Sequence, residues 1–225
     1  MDTQTLHQQA ESLREQEKYI EALKTYQEVI VKYQQEKNYS KLADALGGLS
    51  LTYKHLFLNS QDQIYVVLAQ HSTQAALEIA KIQNDETILS RCYFNLAEID
   101  LLKQEYSSAV ANFTQSLALL KTDNAEKGRA IYHLGEAQWK NGQKEEGLAN
   151  FHLGLETIEK YASDNDSYTI NVWRSGCCLQ IAVALKDDDK TQAEEYLKKA
   201  QEIIESDDRL TIRRNQLIEV QKLLQ

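Results

Sequence analysis

Five small residues recur along this 225-residue chain: Ala22, Ala69, Ala109, Gly147 and Ala193, separated by 47, 40, 38 and 46 positions. Four residues after them stand Tyr26, Thr73, Phe113, Phe151 and Leu197, which are large and apolar in every copy except the second. Seven residues after them stand Val29, Ala76, Ser116, Gly154 and Ala200, most of them small. Self-similarity at a period of about 20–50 residues marks units that cannot bury their apolar face alone and do so by stacking. The repeat therefore predicts a stacked array with an extended surface, rather than a fold wrapped around a single centre.

A further small position precedes the repeat residue by twelve in four copies: Ala10, Ala97, Gly135 and, less small, Ile181. Twelve residues correspond to a helix end, a short turn and the start of the next helix. Small residues on both sides of that turn let two antiparallel backbones approach, and the large residue one turn later wedges against the next unit. The chain contains no proline, the strongest helix breaker, and only eight glycines, so long uninterrupted helices are expected. Apolar stripes at helical spacing are explicit in Leu42, Leu46, Leu49, Tyr53 and Leu56, and in Ile88, Cys92, Leu96 and Ile99. Turn chemistry interrupts them at Asn59–Asp62, Asn84–Asp85, Thr122–Asn124, Asn141–Gly142, Ser163–Asp166, Asp187–Asp189 and Ser206–Asp208. The Asp, Asn and Ser side chains there are suited to cap the helices that follow. Thr191 and Glu194 have the spacing of a capping box. The pieces read as eleven helices of about 15–22 residues with no strand alternation.

These residues resemble tetratricopeptide repeats. The most typical copy runs Ile131-Tyr132-His133-Leu134-Gly135, then Asn141-Gly142-Gln143, then Gly147 and Phe151; others are Ala10 with Tyr19-Ile20-Glu21-Ala22 and Tyr26, and Ala97 with Tyr106 to Ala109 and Phe113. The resemblance implies an all-α, right-handed α-solenoid of about five antiparallel helix pairs forming a single domain over 1–225. The approximate repeats are 2–37, 39–83, 85–121, 123–162 and 166–205, followed by a capping helix over 207–224 that closes the array. The family's usual proline near the end of the second helix is absent, and the separations exceed the usual repeat length, so the helices run longer. The tract from His55 to Tyr65 lengthens the second hairpin.

In that family the first helix of each pair lines an inner groove. The third pair offers Arg91, Phe94, Asn95 and Glu98 there; the fourth offers Arg129, Tyr132, His133, Glu136 and Trp139; Arg174 lies one position off the same row in the fifth. Arg91 and Arg129 occupy equivalent places, as do Glu98 and Glu136. Arginine forks onto carboxylate or phosphate, Asn95 is suited to a peptide backbone, and Tyr132 supplies an apolar anchor with a polar tip. The expected peptide-binding residues are Arg91, Asn95, Arg129, Tyr132, His133 and Arg174, and the expected partner is a protein or peptide of acidic character. The competing reading makes the arginines salt bridges between neighbouring repeats. Gly47-Gly48, inside an otherwise good helix, reads as a close helix–helix contact or as room for a ligand.

Net charge is −9 and the isoelectric point about 5.1, with neither half of the chain basic, which argues against a nucleic-acid partner. A polar N-terminus and the lack of any apolar run of about 18–20 residues argue against a secretory signal and a membrane span. Three cysteines, including adjacent Cys177 and Cys178, form no disulfide framework and fit a reducing, cytoplasmic setting. His7, His55, His71, His133 and His152 make no metal-ligand spacing, and no phosphate loop or nucleophile motif appears, so no metal, cofactor or catalytic residue is expected. The expected function is a binding adaptor or scaffold rather than an enzyme. Its rivals are an oligomeric structural subunit and a signalling-peptide sensor that lacks its own effector domain.

Overall fold

A computed structural model of the chain describes residues 1–224. Eleven α-helices follow one another: α1 (Thr3–Glu15), α2 (Tyr19–Gln35), α3 (Tyr39–Ser60), α4 (Ile64–Gln83), α5 (Glu86–Leu102), α6 (Tyr106–Leu119), α7 (Ala125–Lys140), α8 (Lys144–Lys160), α9 (Ser167–Leu185), α10 (Lys190–Glu205) and α11 (Thr211–Leu224). A single turn of 3₁₀ helix, Ala162–Asp164, leads into α9, and no strand occurs among the described residues. The helices run from 13 residues in α1 to 22 in α3, so the shortest fall below the expected length. Every turn expected from its chemistry falls between helices, except that Asn59 and Ser60 of the Asn59–Asp62 turn close α3.

The helix starts follow a rule. The first helix of each hairpin is capped by an aspartate or asparagine: Asp2 accepts from Thr5 N, Asn38 from Lys41 N, Asp85 from Ile88 N, Asn124 from Lys127 N and Asp166 from Thr169 N. Each satisfies one of the backbone donors that a helix N-terminus leaves open. The second helices α2, α4 and α8 have no side-chain cap. The tenth helix is capped by Asp189, which accepts from Gln192 N, so the Thr191–Glu194 pair is not its capping box.

Helix ends share a joint. In five turns a residue in the left-handed region, at Glu17, Lys37, Asn84, Gln104 or Gly142, precedes an amide that reaches back five residues. These bonds are Lys18 N to Leu13 O, Asn38 N to Tyr33 O, Asp85 N to Ala80 O, Glu105 N to Asp100 O and Gln143 N to Gln138 O, all 2.9–3.0 Å. This is Schellman closure, which occupies carbonyls the helix would otherwise leave open.

The chain divides into two compact units, Met1–Leu119 and Leu120–Gln225. In the first, Tyr26, Val29 and Tyr33 of α2 pack with Leu6 and Ala10 of α1 and Leu42, Ala45 and Leu49 of α3. A second cluster joins Ala43 to Ala76, Leu77 and Ala80 of α4 and to Ile88 and Cys92 of α5. Phe94 and Phe113 meet edge to face at 5.2 Å between α5 and α6. In the second unit one core joins Tyr132, Phe151, Leu155 and Ile158 to the apolar faces of α9, α10 and α11.

The repeat positions are the packing positions. Ala10, Ala22, Ala69, Ala97, Ala109 and Ala193 are fully buried, as are Tyr26 and Phe113 four residues after two of them. The seventh hairpin helix and its partner show why: a Cβ at Gly135 would lie 2.7 Å from the Gly147 carbonyl, and one at Gly147 would lie 2.8 Å from the Gly135 carbonyl. One turn pair further along, Gly154 faces the backbone of Tyr132 and Gly128 in the same way. Gly48 has a different task. An added Cβ would strike the Tyr26 hydroxyl at 2.5 Å and its ring at 2.6 Å, so this glycine admits the large repeat residue of α2 into the side of α3.

Candidate functional site

The expected row is divided between the two units. Arg91 and Asn95 stand on α5 in the first; Arg129, Tyr132 and His133 on α7, and Arg174 on α9, stand in the second.

In the first unit, α3 and α5 lie side by side. The half-exposed Arg91 guanidinium meets Asp44 of α3 at 3.1 Å, and Lys41 stands 3.8 Å from the same carboxylate. One turn along, Asn95 points its amide at Gly47, where an added Cβ would sit 3.6 Å from Asn95 Nδ2. That amide forms no hydrogen bond with any described residue. A turn further, Lys54 Nζ meets Glu98 Oε1 at 2.7 Å with both side chains about 15% exposed. The result is a ladder of two ion pairs with a polar gap between them: bare backbone at Gly47 on one side, an amide with donor and acceptor capacity on the other. Gly47 and Gly48 thus separate in role, the first leaving space and the second admitting Tyr26.

In the second unit the candidates scatter. Arg129 lies over the Trp173 ring at 5.3 Å and 3.8 Å from Glu126. His133 Nδ1 lies 3.4 Å from Glu136, whose other oxygen meets Lys140 at 2.7 Å. Burial works against the charge on Glu136, but the His133 imidazole beside it and the charge of Lys140 outweigh it and hold the carboxyl at about 2. Tyr132 departs from expectation. It is 2% exposed, its Cβ sits against Gly154, and burial pushes its phenol well above the usual range. It is a core residue and offers no anchor to a ligand, because glycine on α8 lets α7 sink far enough to bury it. Arg174 departs as well. It turns to Glu159 of α8 at 3.2 Å, a carboxylate shared with Lys199 of α10 at 3.0 Å.

The two readings of the arginines resolve position by position. Arg91 and Arg174 bridge helices of neighbouring repeats, through Asp44 and Glu159, whereas Arg129 pairs within its own helix with Glu126. Sequence reasoning missed Asp44, Lys54 and Trp173. The first two were concealed by the irregular second hairpin, whose length broke the register in which Asp44 faces Arg91. Among the described residues no group of His, Cys, Asp and Glu could hold a metal ion. Nor is any helix long and apolar enough to cross a membrane. The three cysteines are free and buried; burial pushes Cys92 up to about 12 and Cys178 up to about 11, with Cys177 raised as well.

Hairpins with buried small residues at the crossing, a large residue one turn later and a closing helix define the tetratricopeptide-like repeat fold of the α-solenoid class, and this chain has it. Among solved structures, it is similar to a Rap protein complexed with Competence and Sporulation Factor, 16% identical with a TM-score of 0.76, over 97% of this chain and 62% of that one. It is similar to BtubC (BKLC) from P. vanneervenii, 15% identical with a TM-score of 0.67, over 88% and 77%. It is also similar to a Podosopora anserina kinesin light chain with nearly identical TPR-like repeats, 15% identical with a TM-score of 0.63, over 91% and 97%. The chain thus spans about three fifths of the Rap protein. No protein-family model and no curated protein matches its sequence.

Proposed function

We propose that this chain is a binding module that holds a protein or peptide segment on the exposed faces of its first helices, and that it works as an adaptor rather than as an enzyme. The observation that carries the reading is the polar gap on the first unit. Asn95 faces the bare backbone of Gly47, between the Arg91–Asp44 and Lys54–Glu98 pairs. An extended segment needs amide partners for its own backbone and a charged rim that sets its register, and this ladder offers both. Arg91 presents its guanidinium at the surface and can exchange Asp44 for a ligand carboxylate, which favours segments of acidic character. Arg129 and His133 form a second patch on the other unit, where the cation rests on an aromatic face. The rigid helical frame pre-orders these groups and leaves the ordering cost mainly to the ligand. The Rap structure, solved with a bound factor, is consistent with such a use of the fold. Three buried reduced thiols accord with a cytoplasmic setting.

The test is affinity capture from lysate with the wild type and an Arg91→Ala/Asn95→Ala variant, followed by mapping of the captured partner to its shortest binding segment. Loss of the partner in the variant, at unchanged melting temperature, supports the α3–α5 site. A partner held equally by both proteins moves the contact elsewhere and defeats the proposal.

A further inference from the structure

A cavity of about 460 Å³ opens between α9 and α11 of the second unit. Leu179, Val183, Ile218 and Val220 give it apolar walls, with Gln180 and Asn215 among its polar groups. Arg213 also lines it. This guanidinium is held from three sides: Nε donates to the Val172 carbonyl at 3.0 Å, Nη1 donates to Gln216 Oε1 at 2.5 Å, and Nη2 lies against the Cα of Gly176. A Cβ on residue 176 would stand 2.6 Å from Nη2, so α9 is indented where the guanidinium rests. No carboxylate pairs with Arg213 among the described residues. The acid that lines the cavity, Glu219, is held by Lys222 at 2.8 Å on the exposed rim. A cation fixed in place by neutral partners at the edge of an apolar cavity has the form of a site for an amphiphilic anion.

We infer that the α9–α11 cavity receives an apolar side chain of a peptide whose neighbouring residue carries a carboxylate, with the side chain filling the Leu179–Val183–Val220 wall and the carboxylate meeting Arg213. The volume lies within the range of small-ligand sites, about 300–1,000 Å³, and holds an aromatic side chain with part of its backbone. Nη2 and the second hydrogen of Nη1 remain for the carboxylate, so the anion adds to the bonds that hold Arg213 instead of replacing them. The inference takes its class of ligand from the peptide-binding reading, but not its place.

The probes are acetyl-Asp-Phe-amide and acetyl-Asn-Phe-amide, titrated into the full chain at low salt and followed by amide shifts in two-dimensional NMR. The aspartate peptide is expected to shift α9 and α11 amides and to bind about five- to tenfold more tightly than the asparagine peptide. Arg213→Gln should abolish that preference while leaving the weak binding, and Val183→Arg should abolish binding of both. Equal affinity of the two peptides for the wild type, or a preference that survives Arg213→Gln, overturns the inference. So does the absence of shifts in α9 and α11. If Arg213 only fastens α11 to α9, Arg213→Gln lowers the melting temperature and leaves the ratio of affinities unchanged, which also overturns it. Shifts confined to α3 and α5 would refute this site and leave the α3–α5 proposal standing.

Discussion

Replacing Gly135 by alanine should destabilise the second unit, although alanine is the better helix former. The new Cβ would lie 2.7 Å from the Gly147 carbonyl oxygen, 3.0 Å from the Phe151 nitrogen and 3.1 Å from Asn150 Cβ. The first two are backbone atoms, so no rotamer change relieves them, and α7 and α8 must part by roughly 0.7 Å to restore ordinary contact at 3.4 Å. A gap of that size forfeits a quarter or more of the dispersion energy along a seam that also includes Gly128 and Gly154. Overpacking of this kind costs about 1–3 kcal/mol, and immovable backbone puts this case at the upper end. Helix propensity returns about 1 kcal/mol, leaving a net loss of about 2 kcal/mol. With a urea dependence of about 1–3 kcal/mol per molar, the midpoint followed by circular dichroism should fall by about 0.7–2 M. Gly47→Ala is the matched control. Its Cβ meets only Asn95 Nδ2 at 3.6 Å, so the propensity gain of up to about 1 kcal/mol should raise the midpoint. A Gly135→Ala midpoint at or above the wild-type value would refute the claim that backbone approach is what requires this glycine.

Four further expectations can be measured. Glu136→Gln should lose about 3 kcal/mol at pH 6, following from a folded value of about 2 against an ordinary 4.5. Because that folded value is depressed, the contribution is present above about 4.5 and disappears as pH falls toward 2; a difference in unfolding midpoint that persists at pH 2 would contradict the assignment. Removing one partner of the well-shielded Lys54–Glu98 pair, as in Lys54→Ala, should cost about 1–3 kcal/mol, and a Lys54→Met/Glu98→Leu double variant should recover most of it in a urea melt. Arg91→Ala, at a half-exposed pair, should change stability by less than about 1 kcal/mol, and a larger loss would make that arginine structural. Cys92, Cys177 and Cys178 should react with a disulfide reagent such as DTNB only after denaturant is added, since burial raises all three thiols; rapid labelling of the native protein would contradict their placement.

The fold could be read from the chain because its packing rule is written in residue size. Ala10 against Ala22 and Gly135 against Gly147 place the two backbones of each hairpin, and Tyr26, Phe113 and Phe151 set the next one. Three turns were less visible. Those around Glu17, Lys37 and Gln104 place residues with a Cβ in the left-handed region, where the turn chemistry of asparagine or glycine would have advertised the joint. The site was legible only in part. Arg91 and Asn95 could be picked from their register, but their neighbours Asp44 and Gly47 come from a hairpin whose extra length hides the register. Tyr132 looked like a surface anchor because a helical repeat gives the angle around the axis, whereas its burial depends on how closely α8 approaches. That distance is set by Gly154, which belongs to another helix.

The shared turn closure has a consequence for how such a chain can change. Five joints have the same backbone hydrogen bond and a left-handed residue at the same place, while the helices they connect vary from 13 to 22 residues. Variation in length is therefore absorbed by the rods, and the connectors behave as interchangeable fittings. A hairpin can be lengthened by whole turns, as α3 and α4 have been, without redesigning the corner that follows. The free ends of such an outgrowth then project as new surface: Leu58, Ile64 and Val67 are about half exposed at the tip of this one. Diversity in this architecture can accumulate by extending the rods at their tips, leaving the crossing points that hold the stack together untouched.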